Sequence, residues 1–142
     1  MLRITALLLL AAAILHAQDP NVLVYGATPA GIAAAIAAAE DGEKVLLVEP
    51  ADRIGGMITS GLSHADFRTV EGLSGAYLKF TRRIEQHYRE AFGADSPQVC
   101  DCWHGVFAEP KVNLAVFEKM LGQSSTMRGI STIRKMAERY GS

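Results

Sequence analysis

The run Asn21-Val22-Leu23-Val24-Tyr25-Gly26-Ala27-Thr28-Pro29-Ala30-Gly31 passes from strand signals to helix signals within a few residues. It continues as Ile32-Ala33-Ala34-Ala35-Ile36-Ala37-Ala38-Ala39-Glu40-Asp41-Gly42 and closes with Glu43-Lys44-Val45-Leu46-Leu47-Val48-Glu49-Pro50. Residues 22–25 are continuously apolar and rich in β-branched types, the pattern of a strand buried on both faces of a parallel sheet. Thr28 suits the N-cap and Pro29 the first helical position. The alanine run beyond them has near-maximal helix propensity, which predicts a helix over 29–41. Asp41-Gly42 ends it, with Gly42 free to take a left-handed cap. Residues 45–49 then read as a second buried strand. The whole is a βαβ unit of about 30 residues, predicting an α/β fold with parallel strands and a right-handed crossover.

The unit also has a chemical purpose. A tight turn at Gly26 delivers the chain into a helix whose N-terminal amides and dipole favour an anion such as a pyrophosphate. Gly31, one turn in, lets the helix lie close against the strand. Glu49, at the carboxyl end of the second strand, stands where a carboxylate accepts hydrogen bonds from an adenosine ribose. Thr28 departs from the G-x-G-x-x-G pattern by replacing the middle glycine; its Cβ crowds the ligand side, while its hydroxyl can donate to a phosphate oxygen. The bland alternative is a helix and two strands packed for fold reasons alone, with Glu49 a solvated strand end.

Arg53-Ile54-Gly55-Gly56-Met57 follows, then Thr59-Ser60-Gly61. Here the chain resembles the FAD-dependent oxidoreductases of the two-dinucleotide-binding-domain flavoprotein superfamily, in which an R-x-G-G stretch after the acidic strand end is a second cofactor contact. It is most similar to large, often exported bacterial members opening with a Tyr-Gly-(Gly/Ala)-Thr-Pro-Ala-Gly turn. The likeness runs over roughly residues 21–122, more loosely toward Glu109-Pro110. The resemblance implies a Rossmann-like FAD/NAD(P)-binding domain, incomplete in this chain, with FAD as cofactor. It implies cofactor contacts at Gly26, Ala27, Thr28, Pro29, Ala30, Gly31, Glu49, Arg53, Gly55, Gly56 and Met57. Paired glycines let backbone pass close to a bulky ligand, and Arg53 can pair with a phosphate or a carboxylate. An NAD-binding domain is the runner-up, since Glu49 serves it equally; Arg53-x-Gly55-Gly56 argues for FAD.

The full chain has 142 residues, with 14 basic against 15 acidic side chains and a net charge of −1. That balance gives no reason to expect a nucleic-acid partner, and the length allows one domain. Residues 1–17 read as a secretory signal peptide: Arg3 near the start, a run over 4–15 apolar but for Thr5, and the small Ala17 before Gln18-Asp19-Pro20. The run is too short to span a bilayer, so no stable membrane anchor is expected, and the chain is expected to be exported, periplasmic or extracellular. Arg3 alone does not make a twin-arginine signal. Either the flavin is acquired after translocation, or export is not the fate of the chain.

An amphipathic helix is predicted over 73–92, with Leu73, Tyr77, Phe80, Ile84 and Tyr88 on its apolar stripe. A third helix is predicted from Pro110 to about Leu121, burying Leu114, Phe117 and Leu121. Residues 94–109 read as a loop holding Cys100, Cys102, Trp103 and His104; without a second ligand cluster no metal site is expected. His64 and Asp66 follow the Gly-Gly loop, with an ordinary surface position favoured for His64. No catalytic residue is assigned, and the substrate is a small molecule of unassigned identity. The organisation expected is a signal peptide at 1–17, the N-terminal part of the FAD-binding domain at 18–122, and a divergent tail at 123–142. No strand is read in that tail, and 130–140 reads at best as a short helix. The region that would complete the sheet and form the substrate site is expected to be missing. This leaves an FAD-binding part inactive by itself or, from another class, a non-catalytic secreted fragment.

Overall fold

The computed structural model describes residues 20–123 and, for the backbone, 127–132. The signal peptide read at 1–17 lies outside these residues. In the described chain β1 (Val22–Tyr25) leads into α1 (Pro29–Glu40) and β2 (Val45–Glu49). The strands pair in parallel, Val22 opposite Val45 and Tyr25 opposite Val48, as the βαβ reading requires. Thr28 is the N-cap, its hydroxyl accepting the Gly31 amide at 3.2 Å, and Asp41 is the C-cap.

Two short elements follow, α2 (Met57–Ser60) and a 3-10 turn at Val70–Gly72. Then come α3 (Gly75–Phe92), α4 (Pro97–Asp101) and α5 (Pro110–Gly122). The α4 turn corrects the expectation of a continuous loop over 94–109; Ser96 caps it, accepting from the Val99 amide, and Pro97 opens it. α3 begins two residues later than predicted, because Leu73 closes the 3-10 turn and Ser74 is the helix cap.

The tail holds the largest correction. β3 (Met127–Thr132) pairs in parallel with β2, giving the order β1-β2-β3 among the described residues. A polar start at Gln123-Ser124-Ser125 and a glycine at 129 hid this strand, whose pairing is set by the long-range partner β2. The helix read over 130–140 is thereby overturned at 130–132, and 133–140 lie outside the described residues.

The core lies between the sheet and the helical layer. Ile32, Ala35 and Ile36 of α1, Val45 and Leu47 of β2, Phe80 and Ile84 of α3 and Phe117 of α5 form one buried cluster. The Phe80 and Phe117 rings stack there with centroids 4.3 Å apart. On α5 the buried set is broader than predicted, adding Val112, Val116 and Met120, while Leu114 is only partly buried. β1 is not buried on both faces: Val22 and Val24 pack toward the cluster, whereas Leu23 and Tyr25 remain 64% and 68% exposed.

Candidate functional site

The carboxyl ends of β1 and β2 meet at the β1–α1 turn. Gly26 has φ +94°, and its amide donates to the Val48 carbonyl at 2.7 Å, extending the strand pairing into the turn. Gly31 is needed for a different reason. A Cβ there would lie far inside van der Waals contact distance of the Gly26 carbonyl oxygen, so α1 reaches its depth only because position 31 has no side chain. Thr28, Pro29 and Ala30 are exposed, leaving the helix N-terminus open to solvent with its dipole pointing outward. Thr28 uses an oxygen lone pair for its cap bond, so its hydroxyl hydrogen remains to be donated.

Glu49 is not a solvated strand end. Its side chain is 7% exposed, and both carboxylate oxygens accept backbone amides: Ala27 at 2.6 Å and Ala51 at 2.8 Å. Each oxygen keeps a further lone pair. The carboxylate therefore fixes the turn to the end of β2.

The Gly-Gly loop closes over the same turn. The Gly55 amide donates to the Ala27 carbonyl at 2.7 Å. A Cβ at Gly55 would collide with the Thr59 side chain and press on the Phe117 ring, while Gly56 approaches Pro29. Thr59, wholly buried, donates to the Ile54 carbonyl at 2.5 Å, and Arg53 donates through Nη1 to the Thr59 carbonyl, also at 2.5 Å. Arg53 itself is exposed, and Met57 is 74% exposed on the outer side of the loop. The structure thus brings together Gly26 to Gly31, Glu49 and Gly55-Gly56, with Arg53 and Met57 on the rim.

Some positioning residues were not legible beforehand. Asn113 on α5 is buried, and its Nδ2 donates to the Ile58 carbonyl at 2.8 Å, holding α2 and the glycine loop from below; a lone polar residue inside an apolar helical stripe is the only sequence signal for it. An apolar cavity of about 370 Å³ lies beside the turn, lined by Pro29, Ala30, Ala33, Ile58, Tyr77 and Phe80 among others. The Tyr77 hydroxyl donates to the Ala65 carbonyl at 2.8 Å at its edge. Burial, and secondarily the Asp66 charge, raise the Tyr77 pKa above the ordinary phenol value.

His64 and the 94–109 segment, read separately from sequence, meet through an isolated antiparallel bridge from His64 to Phe107. The His64 ring stacks on Phe107 at 4.6 Å, and its Nδ1 lies 3.4 Å from Asp66. Trp103 joins the cluster against Phe67 and Phe107, with positive φ at Trp103 and His104. Cys100 is exposed and Cys102 buried, both as free thiols, and burial foremost raises the Cys102 pKa. Among the described residues no group of His, Cys, Asp and Glu is arranged to hold a metal ion. No described helix is long and apolar enough to cross a membrane.

The open α1 N-terminus, the Cβ-free approach of Gly31 and the carboxylate behind the turn fit a dinucleotide. Comparison with known proteins points the same way. The sequence profile of the family described as FAD dependent oxidoreductase matches residues 21–135. The chain is also similar to an N,N-dimethylglycine/sarcosine dehydrogenase of Chromohalobacter salexigens, 35% identical over 81 residues. That similarity covers 57% of this chain and 12% of the relative, so the chain matches only a small part of the relative's length.

Proposed function

The chain belongs to the FAD-dependent oxidoreductase family, with FAD as its cofactor, and on that premise we propose a role for each residue of the site. Gly26, Ala27, Thr28, Pro29, Ala30 and Gly31 receive the pyrophosphate, with the Thr28 hydroxyl as a donor. Glu49 accepts the adenosine ribose hydroxyls on the lone pairs left over from the Ala27 and Ala51 amides. Arg53, Gly55, Gly56 and Met57 make a second contact with the same cofactor. FAD supplies the redox chemistry, accepting electrons from a small-molecule substrate, and the chain supplies binding and orientation.

The observation that carries this reading is the close seating of α1 on the Gly26 carbonyl, which Gly31 alone permits. It aims an exposed helix N-terminus at the place where a pyrophosphate is best stabilised. By themselves, residues 1–142 are proposed to bind FAD weakly and to turn over no substrate. The apolar face of β1 left open at Leu23 and Tyr25 supports that reading. Titrating FAD into the purified chain, followed by flavin fluorescence and thermal melting, tests it. Saturable quenching with a rise in melting temperature is expected, with a smaller effect from NAD. No response to FAD, or a larger one to NAD, overturns the assignment.

We also infer export through residues 1–17, supported by their charge and hydropathy pattern. N-terminal sequencing of the chain from the cell envelope is expected to begin at Gln18, and retention of Met1 overturns export.

A further inference from the structure

We propose that the cleft between α3 and α5 is a second anion site, built for a phosphate-sized oxyanion and separate from the β1–α1 turn. Arg83, Gln86, His87 and Glu90 fall at i, i+3, i+4 and i+7 of α3, which places them along one helical face. Together with Val116 and Lys119 of α5 they line a cavity of about 90 Å³. It shares no lining residue with the turn.

The key observation is Arg83. Its Nη1 is buried and has no hydrogen-bond partner. A guanidinium N–H cut off from water with no acceptor loses solvation that nothing returns, so such groups in folded proteins mark an ion or a water. Of the other cations of α3, Lys79 holds Glu40 at 2.5 Å and Arg89 holds Glu85 at 2.7 Å, while Arg82 is exposed to solvent and outside the cleft lining. Arg83 and Lys119 form no ion pair among the described residues. The only carboxylate lining the cleft, Glu90, accepts from the Gln86 amide at 2.6 Å. Arg83, with its unanswered Nη1, Lys119 and the His87 imidazole thus line a small cleft against the single carboxylate of Glu90. A guanidinium fork matches phosphate geometry.

Thermal melting of the purified full chain in inorganic phosphate against chloride, at equal ionic strength, tests the proposal. The expected result is a saturable rise in melting temperature with phosphate. Arg83→Gln is expected to weaken the apparent phosphate affinity roughly tenfold or more, and Lys119→Gln to weaken it less. Phosphate seated at the β1–α1 turn would stabilise all of these proteins equally. A phosphate response unchanged in both variants, or absent from the wild type, overturns the site and leaves water as the partner of Arg83. If Arg83→Gln fails to fold, Lys119→Gln, on the other helix, decides alone. A parallel titration with a phosphomonoester, glycerol phosphate, distinguishes a free anion from a phosphorylated small molecule; an Arg83- or Lys119-dependent response to either upholds the site.

Discussion

The Glu49 carboxylate accepts the Ala27 amide at 2.6 Å across a sequence separation of 22 residues, while its other oxygen accepts the Ala51 amide. A strand-end acid thereby holds the cofactor turn in shape before any ligand arrives. Glu49→Gln keeps one carbonyl oxygen but turns an NH2 toward a backbone N–H. An unanswered buried donor costs about 1–3 kcal/mol. Urea unfolding of the variant is expected to show a loss of that size together with weaker FAD binding. Unchanged stability would mean that the carboxylate does not support the turn.

Helix propensity and packing give opposite predictions at Gly31. Alanine in a helix is favoured over glycine by about 1 kcal/mol, so propensity alone makes Gly31→Ala stabilising. Yet the added Cβ meets a backbone oxygen that cannot swing aside, and α1 must lift from the turn at roughly 3 kcal/mol or more. Gly26→Ala meets no atom, but it holds an L-residue at φ +94°, which costs about 1–3 kcal/mol. The expected order of urea midpoints is wild type, then Gly26→Ala, then Gly31→Ala, with FAD binding lost in the last.

Local signals made the βαβ unit legible: the caps at Thr28 and Pro29, the alanine run and the two β-branched runs each prescribe their own conformation. The turn glycines and Glu49 were readable because their roles depend on residues inside that unit. What was missed depends on distant partners. Asn113 reaches Ile58 across 55 residues, and His64 meets Phe107 only through a bridge between separate loops. β3 gains its strand conformation by pairing with β2. β1 was misread for a related reason: a continuous apolar run states that both faces tolerate burial, not that both are covered.

Burial foremost, and then its hydrogen bond to Glu109, push the Tyr88 pKa up to about 12, while the same bond holds the Glu109 carboxyl below its usual value. The signs place two pH windows. Glu109 contributes stability that is present above the unfolded carboxylate pKa and lost as pH falls through its lower folded value. Tyr88 contributes stability that is present below the ordinary phenol pKa of 10.0 and lost as pH rises toward about 12. Tyr88→Phe removes the shared bond, so melting temperature measured against pH should fall less steeply for the variant at both extremes. Superimposable slopes would sever Tyr88 and Glu109 from the acid and alkaline limits.

The two faces of β1 should respond oppositely to charge. Val24 packs toward the buried cluster, while Leu23, its neighbour in the strand, points to the other face and is 64% exposed, with Tyr25 beside it at 68%. Leu23→Lys and Tyr25→Lys bury no charge, so each should change unfolding free energy by only about 0.5 kcal/mol. Val24→Lys places a charge against the buried cluster and should cost several kcal/mol or prevent folding. The exposed pair also gives two copies an apolar surface to share, because β1 stands at the margin of the described sheet. Sedimentation velocity of the Leu23→Lys/Tyr25→Lys protein should therefore show less concentration-dependent association than the wild type. Equal destabilisation by lysine at 23 and at 24 would instead mean that β1 is covered on both faces in solution.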